Sequence, residues 1–352
     1  MASDEVKTVG PAAADELTGG PGASPGLRGA AVRMITLYLI TLLAVISMIF
    51  ALPRAMPGDP LAALEDPDTG IFISDPEVRE RVLGYYGLDE ALHEQFGSYL
   101  RGIATGDLGW SISRNAPVTG LIASHLPWTL LLMGLALALS ALISYVMGIW
   151  AAWYRGRAAD KIVLVLLTGV RGVPEYALAA LFMISLAVLL PIFPLSGAYT
   201  PFAEYSSVLE RLTDIASHIA LPLAALTLSL LGTKFLLIRN TVLSSLGDDY
   251  MLLARAKGLP ARVQQFHHAG RNALLPFLTV LGMQVAFAAG GSIFVEAVFA
   301  YPGMGTLILT AVEARDYPVL EAVFLVLAVT VLVANLLIEL LYRRLDPRVG
   351  AE

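Results

Sequence analysis

The stretch LPWTLLLMGLALALSALISYVMGIW, residues 126–150, decides the fold. It carries no charged residue and exceeds the ~20 residues that an α-helix needs to cross a ~30 Å hydrocarbon core. Because a backbone in lipid must satisfy its own amides and carbonyls, this run predicts a membrane-spanning helix. Five further predominantly apolar runs are long enough to cross the membrane: residues 34–52, 162–190, 215–238, 274–294 and 319–341. The sequence therefore predicts an all-α membrane protein with about six transmembrane helices.

The composition also indicates a chain that lies in a bilayer. Of 352 residues, 57% are hydrophobic and 15% are charged, and the mean hydropathy is +0.70, which is more apolar than a soluble domain. The net charge of -6 argues against nucleic acid, whose phosphates require a basic surface. The sequence contains no cysteine, which excludes disulfides and cysteine-ligated metals. His267 and His268 are adjacent and point about 100° apart on a helix, so no metal site is expected there.

The distribution of Lys and Arg predicts the orientation, because short cytoplasmic loops are rich in these residues. Three sets lie at or after the ends of the second, fourth and sixth runs: Arg155, Arg157, Lys161; Lys234, Arg239, Arg255, Lys257, Arg262, Arg271; and Arg343, Arg344, Arg348. With six spans the three sets share one side of the membrane, and both termini are expected in the cytoplasm. Residues 1–32 are expected to form a disordered cytoplasmic tail, and residues 33–349 the transmembrane domain.

The segment 54–125, between the first and second spans, is expected to be an ordered extracytoplasmic cap. It has turn clusters at residues 57–60 and 65–70 and a predicted short helix at 76–83. Acidic residues dominate this segment. Its negative surface is compatible with attraction of a cationic partner and equally with a solvated face.

The connection after the fourth span, residues 239–273, contains no span of its own. Its central sequence is DDYMLLARAKGLPARVQQFHHAGRNALLP, residues 248–276. Asp248 or Asp249 is able to cap a first short helix, and Gly258 suits the left-handed position that follows such a helix. Pro260 fits the first turn of a second helix. The first helix is expected to present an apolar knob with a basic rim, which suits a groove on a soluble partner. The residues expected to form this knob are Tyr250, Leu253 and Ala254, with the small Ala256 and Gly258 near its end.

This connection resembles the EAA-type loop of permeases from binding-protein-dependent ABC transporters, in the form used by the dipeptide and oligopeptide branch. The resemblance is carried by Asp249, Tyr250, Ala254, Arg255, Ala256, Lys257, Gly258, His268, Arg271, Asn272, Ala273 and Pro276. Shorter motifs of the same branch are Pro57-Gly58-Asp59, Gly106-Asp107-Leu108-Gly109 with Ser111, Pro194-Leu195-Ser196-Gly197, Glu296-Ala297-Val298-Phe299, Tyr301-Pro302-Gly303-Met304-Gly305, Arg315-Asp316-Tyr317-Pro318 and Leu345-Asp346-Pro347-Arg348. The similarity covers about residues 34–349. Leu252 replaces the glutamate that gives the loop its name, as in the peptide branch.

The resemblance implies a type I ABC importer transmembrane domain in a bacterial plasma (inner) membrane, which forms half of a translocation pathway for peptides. Its implied partners are a homologous second permease, two ATPase subunits or one ATPase heterodimer, and an extracytoplasmic substrate-binding protein. The residues it assigns to ATPase coupling are Asp249, Tyr250, Leu253, Ala254, Arg255, Ala256, Lys257 and Gly258. The sequence contains no Gly-Lys pair and hence no phosphate-binding GxxxxGK[ST] loop. ATP and Mg²⁺ are therefore expected on the partner subunits, with no cofactor in this chain.

Two further features carry open alternatives. Arg171 and Glu175, at i and i+4 in the third run, either line the translocation path or form a self-neutralised pair near the cytoplasmic boundary. Gly282, Ala286 and Gly290 are expected to form a close-packing seam, either within the chain or against the second permease. The competing functional class is a secondary transporter or channel driven by an ion gradient, which would keep ionisable residues in mid-membrane.

Overall fold

The computed structural model describes residues 27–55, 80–81, 83–84, 89–287 and 293–345. Two compact units divide the chain between Ala44 and Val45. The described residues of the first unit, 27–44, are helical. The helix α1 spans Leu27–Ala55, so it includes residues 27–32 of the predicted tail. The rest of the predicted tail, residues 1–26, lies outside the described residues.

Helices form almost all of the described second unit. They are α2 (Leu92–Thr105), α3 (Val118–Trp153), α4 (Ala158–Arg171), α5 (Glu175–Phe182), α6 (Val208–Ser245), α7 (Asp249–Ala256), α8 (Gly270–Phe287), α9 (Ile293–Val298), α10 (Met304–Glu313) and α11 (Tyr317–Leu345). Two π-helical segments, Met183–Leu189 and Val263–Ala269, continue α5 and precede α8. A two-stranded antiparallel hairpin, β1 (Trp110–Ser111) and β2 (Ala116–Pro117), leads into α3.

Within the described residues, four helices are long and apolar enough to cross a membrane: residues 36–55 of α1, all of α3 and α6, and residues 317–337 of α11. A fifth span results if the bent pair of α4 with residues 175–189 is one crossing. The predicted fifth run corresponds to α8, and its last residues extend into 288–292, outside the described part. The helical class is confirmed with four to five spans, and the count of six stays a prediction.

The third predicted span is broken in its middle. The chain bends by 103° between α4 and the segment 175–189. Proline at 174 lacks an amide hydrogen and disfavours helical geometry at the residue before it, which ends α4 at Arg171. Arg171 ends the first of these two helices and Glu175 begins the second, so they do not share one continuous helix, and their place in the translocation path stays a prediction.

The two longest helices, α3 and α6, form the most extensive helix pair. Glycine makes their close approach possible, because a β-carbon at Gly148 would lie 2.8 Å from Ile238 Cγ2. Gly232 of α6 allows a similar approach to α4, where a β-carbon would lie 2.9 Å from Leu167 O. The predicted seam stays a prediction: Gly282 and Ala286 lie on α8, where Gly282 is half-buried, and Gly290 lies outside the described residues.

The cap segment is described in part. Its predicted short helix and its turn clusters fall largely outside the described residues. The amphipathic helix α2, which we did not predict, ends at Gly106 in the left-handed conformation (φ +78°). Asp107 Oδ1 then accepts a hydrogen bond from Gly109 N at 3.0 Å and directs the chain into the β1–β2 hairpin.

Candidate coupling helix and far-end cluster

The short helix α7 has defined ends. Asp248 precedes its first turn, with its backbone carbonyl accepting from Met251 N at 3.0 Å, while its side chain makes no capping bond. At the other end Gly258 adopts the left-handed conformation (φ +68°), as predicted. Gly258 N donates to Arg255 O at 3.0 Å, and Leu259 N donates to Ala254 O at 3.3 Å. This pair of bonds is a Schellman motif, which satisfies the last carbonyls of the helix.

One face of α7 is fixed to the bundle. Met251 is fully buried in an apolar cluster with Ile149 of α3 and Val242 of α6. Ala254, three residues later, is 3% exposed. Tyr250 is half-buried, and its hydroxyl accepts a hydrogen bond from Asn272 Nδ2 at 2.7 Å. The helix is therefore held on the ends of the two longest helices.

The opposite face of α7 is exposed and packs against none of the residues that the structure describes. Leu252 and Leu253 are 58% and 55% exposed. The other exposed residues of this segment are Asp249, Arg255, Ala256, Lys257 and Gly258. The apolar knob thus consists of Leu252 and Leu253, and its predicted members Tyr250 and Ala254 belong to the inner face. The spacing of Met251 and Ala254, at i and i+3, was the available signal for that inner face.

Two basic residues placed in the loop by sequence lie inside α6 instead, because this helix continues to Ser245. Lys234 is fully buried, and its Nζ donates to Ser140 Oγ of α3 at 2.7 Å. Arg239 makes two hydrogen bonds to Asp160, Nε to Oδ1 at 2.9 Å and Nη2 to Oδ2 at 3.0 Å. Asp160 also accepts from Gly156 N, so this pair fastens the α3–α4 turn to α6.

At the far end of the bundle, opposite α7, two motifs of the resemblance meet. Asp316, which is fully buried, accepts hydrogen bonds from Ser111 Oγ at 2.6 Å, Ser113 Oγ at 2.7 Å and Ser113 N at 2.9 Å. A β-carbon at Gly109 would lie 3.7 Å from Pro318 Cβ. The carboxylate therefore ties the β1–β2 hairpin to the start of α11, a contact between residues about 200 positions apart in the chain.

A second far-end motif surrounds Glu296, which is also fully buried. Its carboxylate accepts from Thr129 Oγ1 of α3 at 2.8 Å, from Gly305 N at 2.7 Å and from Thr306 N at 3.3 Å. Thr129 Oγ1 in turn accepts from Met304 N at 2.7 Å. Glu296 and Thr129 together satisfy the first amides of α10 and join that short helix to α3.

We expect Asp316→Ala to lower the free energy of unfolding by about 2 kcal/mol or more, because the buried hydroxyl of Ser111 and the two part-buried donors of Ser113 would lose a charged acceptor. Unfolding in denaturing detergent measures this change. Asp89→Ala, at an exposed position just before α2, is the control and should change stability by less than about 0.5 kcal/mol. Equal stability of the two variants would contradict a tethering role for Asp316.

The long apolar helices, with polar residues gathered at both ends, define the class of multi-pass membrane proteins. Comparison with known sequences gives the family: the chain belongs to the binding-protein-dependent transport system inner membrane components, whose profile matches residues 144–351. It is thus a permease subunit of an inner membrane, of a family that lacks an ATPase domain.

Curated relatives match most of the chain. A putative peptide permease protein of Brucella ovis is 36% identical over 310 residues, covering 88% of this chain and 94% of the relative. The oligopeptide transport system permease protein AppB of Bacillus subtilis is 34% identical over 322 residues, covering 90% and 98%. A glutathione transport system permease protein of Salmonella typhi is 33% identical over 310 residues, covering 88% and 94%. The resemblance inferred from the motifs is confirmed.

Proposed function

We propose that this permease forms half of the translocation pathway of an ATP-driven importer for peptides. The observation that carries the proposal is α7, a capped helix whose inner face is buried against α3 and α6 and whose outer face exposes two leucines. The finer architecture is six spans in a type I importer fold, with both termini in the cytoplasm, α7 on the cytoplasmic side and an extracytoplasmic cap.

The outer face of α7 has the chemistry of a docking surface for a soluble ATPase subunit. Leu252 and Leu253 form an apolar patch at the end of the bundle, and Arg255 and Lys257 border it. A short helix that lays its apolar face into a groove is a common mode of recognition. Apolar anchors give affinity in such contacts, while a charged rim orients the partner. Asp249, Ala256 and Gly258 complete the proposed contact, and Tyr250 and Ala254 support it from beneath.

The inner face of α7 would transmit motion. Met251 packs among Ile149 of α3 and Val242 of α6, so a displacement of α7 acts on both long helices. The length of α3, 36 residues, corresponds to about 54 Å at 1.5 Å per residue. The same helix carries Thr129, which binds Glu296 near the far end. A movement of α7 driven by ATP would thereby be transmitted along α3 to the opposite side of the membrane.

Because this sequence contains no phosphate-binding loop, the proposed importer needs partner subunits. Two ATPase subunits would bind ATP and Mg²⁺, a homologous permease would supply the other half of the pathway, and an extracytoplasmic binding protein would deliver the substrate. The peptide class is supported by the names of the relatives in Brucella and Bacillus. Co-purification with an ATPase and ATP-dependent uptake of a labelled oligopeptide into proteoliposomes test the proposal. Uptake driven by an ion gradient alone, without ATP, would favour the secondary-transporter class.

We expect Leu253→Ser to weaken association with the ATPase at least 10-fold, because an apolar anchor at an interface contributes more than about 1.4 kcal/mol. Its fold should be unchanged, since the side chain is 55% exposed. The measurement is ATPase retained per permease after affinity purification. Leu92→Ser, at a leucine 63% exposed on α2, is the matched control and should retain the ATPase fully. Equal retention in both variants would contradict docking through α7.

A further inference from the structure

The segment that precedes α6 folds into a rigid loop around one carboxylate. Asp214 accepts hydrogen bonds from Thr200 N at 2.8 Å, Thr200 Oγ1 at 2.7 Å and the Tyr205 hydroxyl at 2.7 Å. The bond to Asp214 raises the pKa of Tyr205, so the hydroxyl stays protonated and remains a donor. The loop is also joined to the far end, because Gly197 N donates to Phe299 O at 2.8 Å.

This loop borders an open cavity of about 270 Å³ with aromatic walls. Trp128 of α3 forms one wall, stacked on Tyr199 with ring centres 5.8 Å apart and planes at 28°. Phe202 and Tyr205 contribute two further rings, and Arg211 of α6 lies at the same cavity. Trp128 lies near the start of α3, whereas α7 packs against its last turns. The cavity is therefore on the side of the bundle from which an importer would receive its substrate.

Two features of the cavity, its strained aromatic residue and its arginine, indicate a binding role. Phe202 is fully exposed (103%) and adopts the left-handed conformation (φ +60°), which a bulky side chain rarely adopts. Strained backbone of this kind is concentrated at ligand-binding sites. The guanidinium of Arg211 forms no hydrogen bond or ion pair with the residues that the structure describes, whereas Asp214 is already satisfied by three donors. The cavity thus combines apolar ring faces with a guanidinium whose hydrogen-bond donors have no partner among the described residues.

We propose that this aromatic cavity binds the carboxylate end of the incoming peptide, with Arg211 receiving the terminal carboxylate and the rings packing on the last side chain. A guanidinium donates two parallel hydrogen bonds to a carboxylate, and aromatic faces pack against apolar or aromatic side chains. The volume is below the 300–1,000 Å³ range of pockets that enclose a whole drug-sized ligand, so it suits one end of an extended molecule. The inference rests on the proposed function of peptide import.

The test compares the tripeptide Ala-Ala-Phe with its C-terminal amide, which lacks the negative charge. Binding to the purified importer complex, without its binding protein, is measured by equilibrium dialysis in nanodiscs of phosphatidylcholine. We expect the free acid to bind at least ~10-fold more tightly than the amide. Arg211→Gln should remove this preference, and Arg211→Lys should restore part of it. Phe202→Ala should weaken both peptides equally, because the ring does not distinguish them.

The matched control is Arg101→Gln, at an exposed arginine of α2 outside the cavity, which should keep the preference for the acid. Equal binding of acid and amide to the parent complex, or a preference that survives Arg211→Gln, would overturn the inference. Displacement of the tripeptide by phosphatidylglycerol added to the nanodiscs would assign the cavity to a lipid phosphate and also overturn it. If the parent complex imports peptide with ATP while acid and amide bind alike, the inference alone fails. Absence of ATP-dependent import would count against the proposed function.

Discussion

Replacement of Gly258 by tryptophan is expected to abolish ATP-dependent peptide uptake while the permease still inserts and folds. Gly258 closes α7 at φ +68°, and a β-carbon added there would meet no atom within 4 Å. A large side chain at this position therefore fits within this chain, and its effect would come from a clash with the docked ATPase. A misfit of about 3 kcal/mol at the docking surface corresponds to about 100-fold weaker association. Uptake into proteoliposomes and substrate-stimulated ATP hydrolysis are the measurements, and both should be lost.

Backbone strain must be separated from bulk in this experiment. Gly258→Asn adds a short side chain that accepts the left-handed conformation, so its effect on uptake should be clearly smaller. Gly106→Trp is the matched control, because Gly106 also ends a helix in that conformation (φ +78°) with no atom within 4 Å of an added β-carbon. It should incur the same strain and retain association with the ATPase. Normal uptake by Gly258→Trp would contradict the coupling role of α7.

Local chemistry explains the features that the sequence predicts well. The left-handed Gly258 could be predicted because only its immediate neighbours determine a helix end. Long uncharged runs such as 126–150 predict helices without knowledge of the packing. The boundary of α6 was harder to predict, because a helix need not end where its apolar run ends. The sequence predicts Arg239 in the loop because the fourth apolar run ends at residue 238, although its bonds to Asp160 hold it within α6.

Contacts between distant residues account for what the sequence did not predict. The inner face of α7 depends on Ile149 and Val242, which lie outside its own sequence window. Asp316 and Ser111 belong to motifs that were recognised separately, and nothing in their spacing indicates that they meet. Pro174 is evident in the sequence, but a proline in an apolar run either kinks a helix or is tolerated. The 103° bend depends on how the two halves of the run pack in the folded chain.

Glu296→Ala is expected to cause the largest loss of stability, because this side chain holds three donors in a fully buried position. The variant would leave the Thr129 hydroxyl and the amides of Gly305 and Thr306 without an acceptor. Each unsatisfied buried donor costs about 1–3 kcal/mol, so a total loss of about 3–6 kcal/mol is expected, since water entering the space would compensate in part. The temperature at which half of the purified protein unfolds in detergent is the measurement.

Two further variants separate the tether to α3 from the cap of α10. Thr129→Val keeps the size of the side chain and removes the hydroxyl that donates to Glu296 and accepts from Met304 N. Because both residues belong to one network, the double variant Thr129→Val/Glu296→Ala should cost less than the sum of the single changes, by about 0.5–3 kcal/mol. Glu313→Ala, an exposed glutamate at the other end of α10, is the control and should be neutral. Strict additivity of the two buried changes would show that Glu296 stabilises α10 without the help of α3.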